Sequence, residues 1–280
     1  MSSLPAQFVH LVDDAAIFPP GNMPLDRAVA AYAEHRRSEY ADLIGGFVVS
    51  DLRLPELIEL LGDADETAGP MPVNVVVSGG AGAIEGAVRW ASRAPALDLR
   101  AVEFALRDED DLAHNAMRAL AMFDTVAEEL GDAEIYVEPP RVHGEPTYGW
   151  TAALDELAAR EVMLKFRLGG VDPADVPEAA EVAACIDAAL DRELRFKCTA
   201  GLHHGVRAPG RHGFLNVMVA TVASLDGGDV VAALEETDGA DLAESVRQQG
   251  ERSRRWFRSF GCCDVLEPHE DLVDLGLVNQ

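Results

Sequence analysis

Lysine is nearly absent from this 280-residue chain: Lys165 and Lys197 are the only two, and arginine supplies the other 21 of its 23 basic side chains. Basic charge as a whole is scarce, with 23 Lys and Arg against 49 Asp and Glu and a formal net charge of -26. Nucleic acid and anionic membrane surfaces need a basic footprint to displace counterions, so this balance excludes both as partners. No apolar run reaches the roughly 18 residues of a membrane span, and the N-terminal MSSLPAQF has no basic region leading into an apolar signal segment. The four cysteines, Cys185, Cys198, Cys262 and Cys263, show no CxxC spacing, and two adjacent ones do not make a disulfide framework. No linker, low-complexity tract or charge block divides the chain.

These absences lead to a reduced-thiol, cytoplasmic protein forming one domain over residues 1–280, with 48% hydrophobic residues to build its core. Self-repulsion at a charge of -26 is relieved by salt, whose screening length falls to about 3 Å at 1 M, so a halophilic cytoplasm is the expected habitat. A homo-oligomer is compatible with the composition, and no cofactor is called for.

Apolar, β-branched runs alternate eight times with stretches of helical periodicity. The expected strands are Phe8 to Val12, Gly46 to Val49, Val73 to Val77, Ala101 to Leu106, Glu134 to Val137, Val162 to Leu168, Leu194 to Thr199 and Phe257 to Gly261. Intervening segments carry apolar residues three and four apart, such as Leu25, Val29 and Tyr32. Eight βα units in this length predict a single (β/α)8 barrel. Gly227 to Arg255 is longer than one crossover needs and predicts two helices, and Glu267 to Leu277 predicts a terminal one. The run VVVSGGAGAIEG from Val75 invites a dinucleotide reading, but its Gly-x-Gly-x-x-x-Gly spacing is one residue too long, and a tight βα turn explains it.

In such a barrel the active site gathers at the C-terminal ends of the strands. The residues read there are Asp13 and Asp14, Glu103, Glu138, Lys165 with Arg167, and Lys197 with Thr199, followed by His203 and His204 and, after the last strand, Cys262 and Cys263. Lysines on adjacent strands could bring their amines within about 6 Å, where repulsion of about 3 kcal/mol lowers one pKa by about two units. A lysine so tuned is a Schiff-base nucleophile. The alternative use of both lysines is internal ion pairing with Glu103 and Glu138.

The segments KFRLG (Lys165 to Gly169) and KCTAG (Lys197 to Gly201) resemble the lysine surroundings of class I aldolases of the deoxyribose-phosphate aldolase type. That resemblance implies a nucleophilic Lys165 on the sixth strand, tuned by Lys197 on the seventh, with Glu103 where the family has an aspartate. The resulting expectation is an aldolase-like lyase acting on a small carbonyl metabolite, with Glu138, His203 or His204 moving protons. Asp13, Arg167, Thr199, Asn216 and Cys263 complete the expected site as substrate-binding residues.

Across nearly the whole chain, DDAAIFPP (Asp13 to Pro20), KFRLGG (Lys165 to Gly170), FKCTAGLHH (Phe196 to His204), HGFLN (His212 to Asn216) and SFGCC (Ser259 to Cys263) resemble an uncharacterised prokaryotic barrel family. Its last motif reads Phe-Gly-Ser-Cys-Ser, which matches Cys263 and leaves Cys262 without a role. Two other functions fit the same strand ends. One is a metal-dependent barrel hydrolase or isomerase drawing ligands from Asp13, Glu138, His143, His203, His204 and Cys263, although no His-x-His or His-Glu-x-x-His spacing is present. The other is a non-catalytic metabolite-binding barrel.

Overall fold

The computed structural model describes residues 4–62 and 69–279; the first three residues of MSSLPAQF lie outside it. Eight parallel strands close into a barrel in sequence order: β1 (Val12–Asp14), β2 (Ile44–Ser50), β3 (Met71–Val77), β4 (Leu97–Ala105), β5 (Glu134–Glu138), β6 (Met163–Arg167), β7 (Phe196–Thr199) and β8 (Phe257–Cys262). The helices that pack around it are α1 (Leu25–His35), α2 (Leu54–Gly62), α3 (Ile84–Arg93), α4 (Leu112–Asp124), the short α5 (Ala127–Leu130), α6 (Tyr148–Ala158), α7 (Ala179–Leu190) and α8 (Phe214–Asp226). The long segment after α8 holds α9 (Val230–Glu235) and α10 (Gly239–Gln249), and α11 (Leu266–Asp274) follows β8. The (β/α)8 barrel and the extra C-terminal helices are therefore as the sequence predicts. None of the described helices is long and apolar enough to cross a membrane.

Turn and cap chemistry fixes the helix starts. Thr147 Oγ1 accepts from Trp150 N at α6, and Asp111, Asp229 and Asp238 cap α4, α9 and α10 through their carboxylates. Gly227 ends α8 in the left-handed region at φ 69°, where a side chain would be strained. The first strand differs most from expectation: Phe8 closes a short 3-10 turn, and β1 begins only at Val12. Asp13 and Asp14 therefore lie within the strand instead of following it.

Side-chain alternation separates two kinds of core. Outside the barrel wall, Phe166, Phe196, Phe257 and Phe260 run across β6, β7 and β8, with successive ring centroids 5.5, 5.6 and 6.5 Å apart, and Phe214 of α8 stacks on Phe260 at 5.0 Å. A register shift pairs Phe196 with Phe257 but Cys198 with Phe260, which turns both β8 phenylalanines to the same side. Inside the wall the positions are polar: Asp13, Asn74, Glu103, Lys165, Lys197 and Ser259 are all buried. Gly45 and Gly46 make room for them, since a Cβ would strike the Asp13 carboxylate at the first and the Asn74 amide at the second. At the N-terminal end Ala101, Tyr136 and Met163 form a separate small apolar layer.

Candidate metal centre

The interior charges form a chain of ion pairs rather than an open active site. Lys197 Nζ lies 2.6 Å from Asp13 Oδ2 and 2.6 Å from Glu103 Oε1. Lys165 Nζ lies 3.1 Å from Glu103 Oε2 and 2.8 Å from Glu138 Oε2, and Arg167 Nε reaches Glu138 Oε1 at 2.8 Å. The Lys165–Glu138 contact is an ion pair by distance but poorly aligned, so Glu138 Oε2 has no hydrogen-bond donor. Three carboxylates and three cations alternate along this line, leaving it neutral. Asp13 is fixed further by Ser259 Oγ, which donates to Oδ2 at 2.7 Å, and by the Gly46 N–H, which donates to Oδ1.

This geometry overturns the lysine-imine expectation. Burial by itself would lower both amines, but their carboxylate partners outweigh it: Glu103 and Glu138 raise Lys165, and Asp13 and Glu103 raise Lys197. Burial likewise works against ionised Glu103, yet Lys197 and Lys165 hold its pKa down to about 2. Two protonated lysines, each 3% exposed or less, are not nucleophiles for a carbonyl substrate. An aldolase-like Schiff-base lyase is thus the wrong reading; adjacency alone suggested repulsion, but a carboxylate stands between the amines.

A different constellation occupies the C-terminal rim. His203 follows β7, Cys262 ends β8 and Glu267 lies in the first turn of α11; one donor atom from each falls within 4.8 Å of the others. His203 Nδ1 is 3.6 Å from Cys262 Sγ and 2.8 Å from Glu267 Oε2. Tetrahedral coordination at ordinary Zn–N and Zn–S lengths places those two donors about 3.6 Å apart, so nitrogen and sulfur already sit at the required spacing. Nitrogen and carboxylate oxygen need about 3.4 Å, so Glu267 has to retreat slightly to share the ion. A mixed sulfur, nitrogen and oxygen set suits zinc and its borderline relatives, and three protein ligands leave a coordination position open.

The surroundings of this rim are built by neighbouring elements. Cys262 Sγ is 3.0 Å from the Asp264 carbonyl, and burial keeps its thiol well above the usual range. Cys263 Sγ lies 3.9 Å from His203 Nδ1. Asp14 is the register partner of Cys262 on the adjacent β1; burial outweighs the donated Ala16 N–H and lifts its carboxyl to about 6. His204 Nδ1 lies 3.2 Å from Asp271 Oδ2 of α11, so both histidines of the pair are oriented by one helix.

Of the residues expected at the site, His203, His204 and Cys263 meet on this rim, and Thr199 ends the adjoining strand β7. Asp13, Glu103, Lys165 and Lys197 belong to the interior ion chain, together with Glu138 and Arg167 at its outer end. Glu138 and Arg167 reach a separate cavity of about 410 Å³ beside Trp150 and Glu181. Asn216 is committed to backbone: Oδ1 accepts from Arg207 N, and Nδ2 donates to Ala233 O and Glu236 O. His143 is exposed and 3.9 Å from Glu181, away from the cluster. Sequence reading missed Cys262 and Glu267 as ligands. The end of β8 pointed at this region, but choosing Cys262 over its neighbour and adding Glu267 from the next helix needed the fold.

No protein-family profile and no curated protein matches the chain. Among solved structures, it is similar to part of a pyruvate carboxylase variant from Rhizobium etli described with the allosteric activator acetyl coenzyme A, at TM-score 0.47 and 11% identity. The match covers 89% of this chain but 24% of that one, so this chain spans about a quarter of that protein's length. That likeness is too distant to carry a functional argument.

Proposed function

We propose that residues 1–280 act as one barrel domain whose function is metal-dependent hydrolysis or isomerisation of a small molecule, with a zinc-class divalent ion held by His203, Cys262 and Glu267. The observation that carries this reading is the convergence of three different donor atoms within 4.8 Å at the C-terminal rim, where barrels of this kind place their chemistry. One of the segments resembling the prokaryotic barrel family, FKCTAGLHH, supplies His203, whereas Cys262 stands where the last motif of that family has serine.

An ion held there would supply Lewis acidity and would lower the pKa of a coordinated water. The chain's own residues do the rest. Three elements fix the donor set: the loop after β7, the end of β8 and the start of α11. Asp14, in register with Cys262, is the carboxyl placed to take up or return a proton at this rim. His204 and Cys263 frame the open side for substrate, with His204 held by Asp271.

Metal analysis of the purified protein tests the reading. About one zinc-class ion per chain is expected, falling to background in a His203→Ala, Glu267→Ala double variant that keeps its far-UV circular dichroism. A metal-free wild type that also fails to bind added Zn²⁺ or Co²⁺ would falsify it.

A further inference from the structure

At the opposite, N-terminal mouth of the barrel lies a cavity of about 530 Å³, reached by His10 ahead of β1, Gly45 and Pro72 near the starts of β2 and β3, and Glu134 at the start of β5. Its volume is in the range of small-ligand sites, about 300–1,000 Å³. In a chain with twice as many acids as bases, its lining runs the other way. Arg36, Arg100, Arg254 and Arg258 all contribute to it. Asp13 is already bound to Lys197 and Arg100 is already paired with Asp98 at 2.6 Å, leaving Asp132 and Glu134 against the three guanidiniums of Arg36, Arg254 and Arg258.

Several of these groups are incompletely paired. Arg254 makes its hydrogen bonds only to carbonyls, those of Val9, Phe257 and Arg258, and pairs with no carboxylate among the described residues. Burial and the neighbouring Arg258 charge lower its pKa to about 10, so it remains a cation at neutral pH. Arg258 has one distant carboxylate, Glu134 at 3.4 Å, and its buried Nε has no hydrogen-bond partner. Asn74, 4% exposed, lines the cavity with a side-chain amide that makes no hydrogen bond among the described residues. An amide facing the cavity is available to a ligand, and adjacent arginines repel one another unless an anion lies between them.

The geometry points to a second ligand site in this N-terminal cavity, one that takes a small oxyanion, a carboxylate or phosphate, between Arg254 and Arg258 with Asn74 as an additional hydrogen-bonding group. Planar guanidiniums match the oxygen pairs of either anion, and the amide can donate to a third oxygen. The site is independent of the metal centre, which lies at the other end of the strands.

Calorimetric titration at low ionic strength with inorganic phosphate and, separately, with succinate tests it and tells the two oxyanion sources apart. One-to-one binding of at least one of them is expected. Arg258→Gln, at a half-buried position, should weaken it about tenfold or more, the usual effect of removing a hydrogen bond to a charged group. Ala6→Glu, at the exposed rim, adds a repelling carboxylate without touching the core and should weaken it as well. Cys262→Ala, at the other end of the barrel, should bind as the wild type does. If neither anion binds the wild type, or if binding is as tight in Arg258→Gln and Ala6→Glu, the assignment is wrong.

Discussion

Lys165 and Lys197 are direct partners across β6 and β7, and they divide one carboxylate between them: Glu103 gives Oε2 to the first at 3.1 Å and Oε1 to the second at 2.6 Å. Glu103 thus holds two buried cations together that would otherwise face each other. Removing one partner from a buried ion pair leaves an uncompensated charge and costs about 3–5 kcal/mol. Glu103→Gln keeps the shape and removes the charge, so urea unfolding should show a loss of that order with an unchanged m-value.

The same pairing makes a chemical prediction. Incubating the folded protein at neutral pH with small aldehydes and ketones and then borohydride should leave Lys165 and Lys197 unmodified. Both are protonated and shielded, whereas the same lysines in urea-unfolded protein should be labelled. Peptide mapping by mass spectrometry reads the difference, and an adduct on either lysine in the folded state would restore the imine mechanism.

Acid should act on this network before alkali does. Glu103 falls from its ordinary 4.5 to about 2 in the folded protein, and Glu138 is also lowered once its pairs with Lys165 and Arg167 overcome the effect of burial. A depressed carboxylate contributes stability that is fully present above the unfolded pKa and is lost as pH falls through the folded one. For Glu103 the span corresponds to about 3 kcal/mol at 1.36 kcal/mol per pKa unit. The lysines are raised, so their contribution persists below their unfolded pKa and goes only as pH rises past it. Unfolding free energy should therefore drop between about pH 4.5 and 2, and Glu103→Gln should flatten that slope.

How far the sequence speaks depends on the range of the interaction. The barrel was legible because alternation and helical periodicity are local, and each unit repeats the same pattern. The ion pair of Lys165 with Glu103 was legible as an alternative because both positions fall on strand interiors. The raised pKa of Lys197 was not, since it depends also on Asp13, distant in sequence, reaching it from β1 past β8 at 2.6 Å. The cluster of His203, Cys262 and Glu267 draws on a loop, a strand end and a helix start, with no fixed spacing to announce it. The register shift between β7 and β8 also lies outside any local periodicity.

Cys262 and Cys263 are adjacent in sequence, yet the metal centre distinguishes them. Cys262 Sγ lies 3.6 Å from His203 Nδ1, at the spacing of shared coordination, whereas Cys263 Sγ lies at 3.9 Å and is absent from the triad. With Co²⁺ as a spectroscopic stand-in for zinc, thiolate coordination gives a near-ultraviolet charge-transfer band that carboxylate and imidazole ligands do not produce. Cys262→Ser should abolish that band and weaken metal retention about tenfold or more, since a hydroxyl is a poor replacement for thiolate at a borderline-soft ion. Cys263→Ser should keep both band and metal. The opposite pattern would move the sulfur ligand to Cys263; a band reduced but not lost in both variants would make the pair a joint ligand and increase the protein donors from three to four.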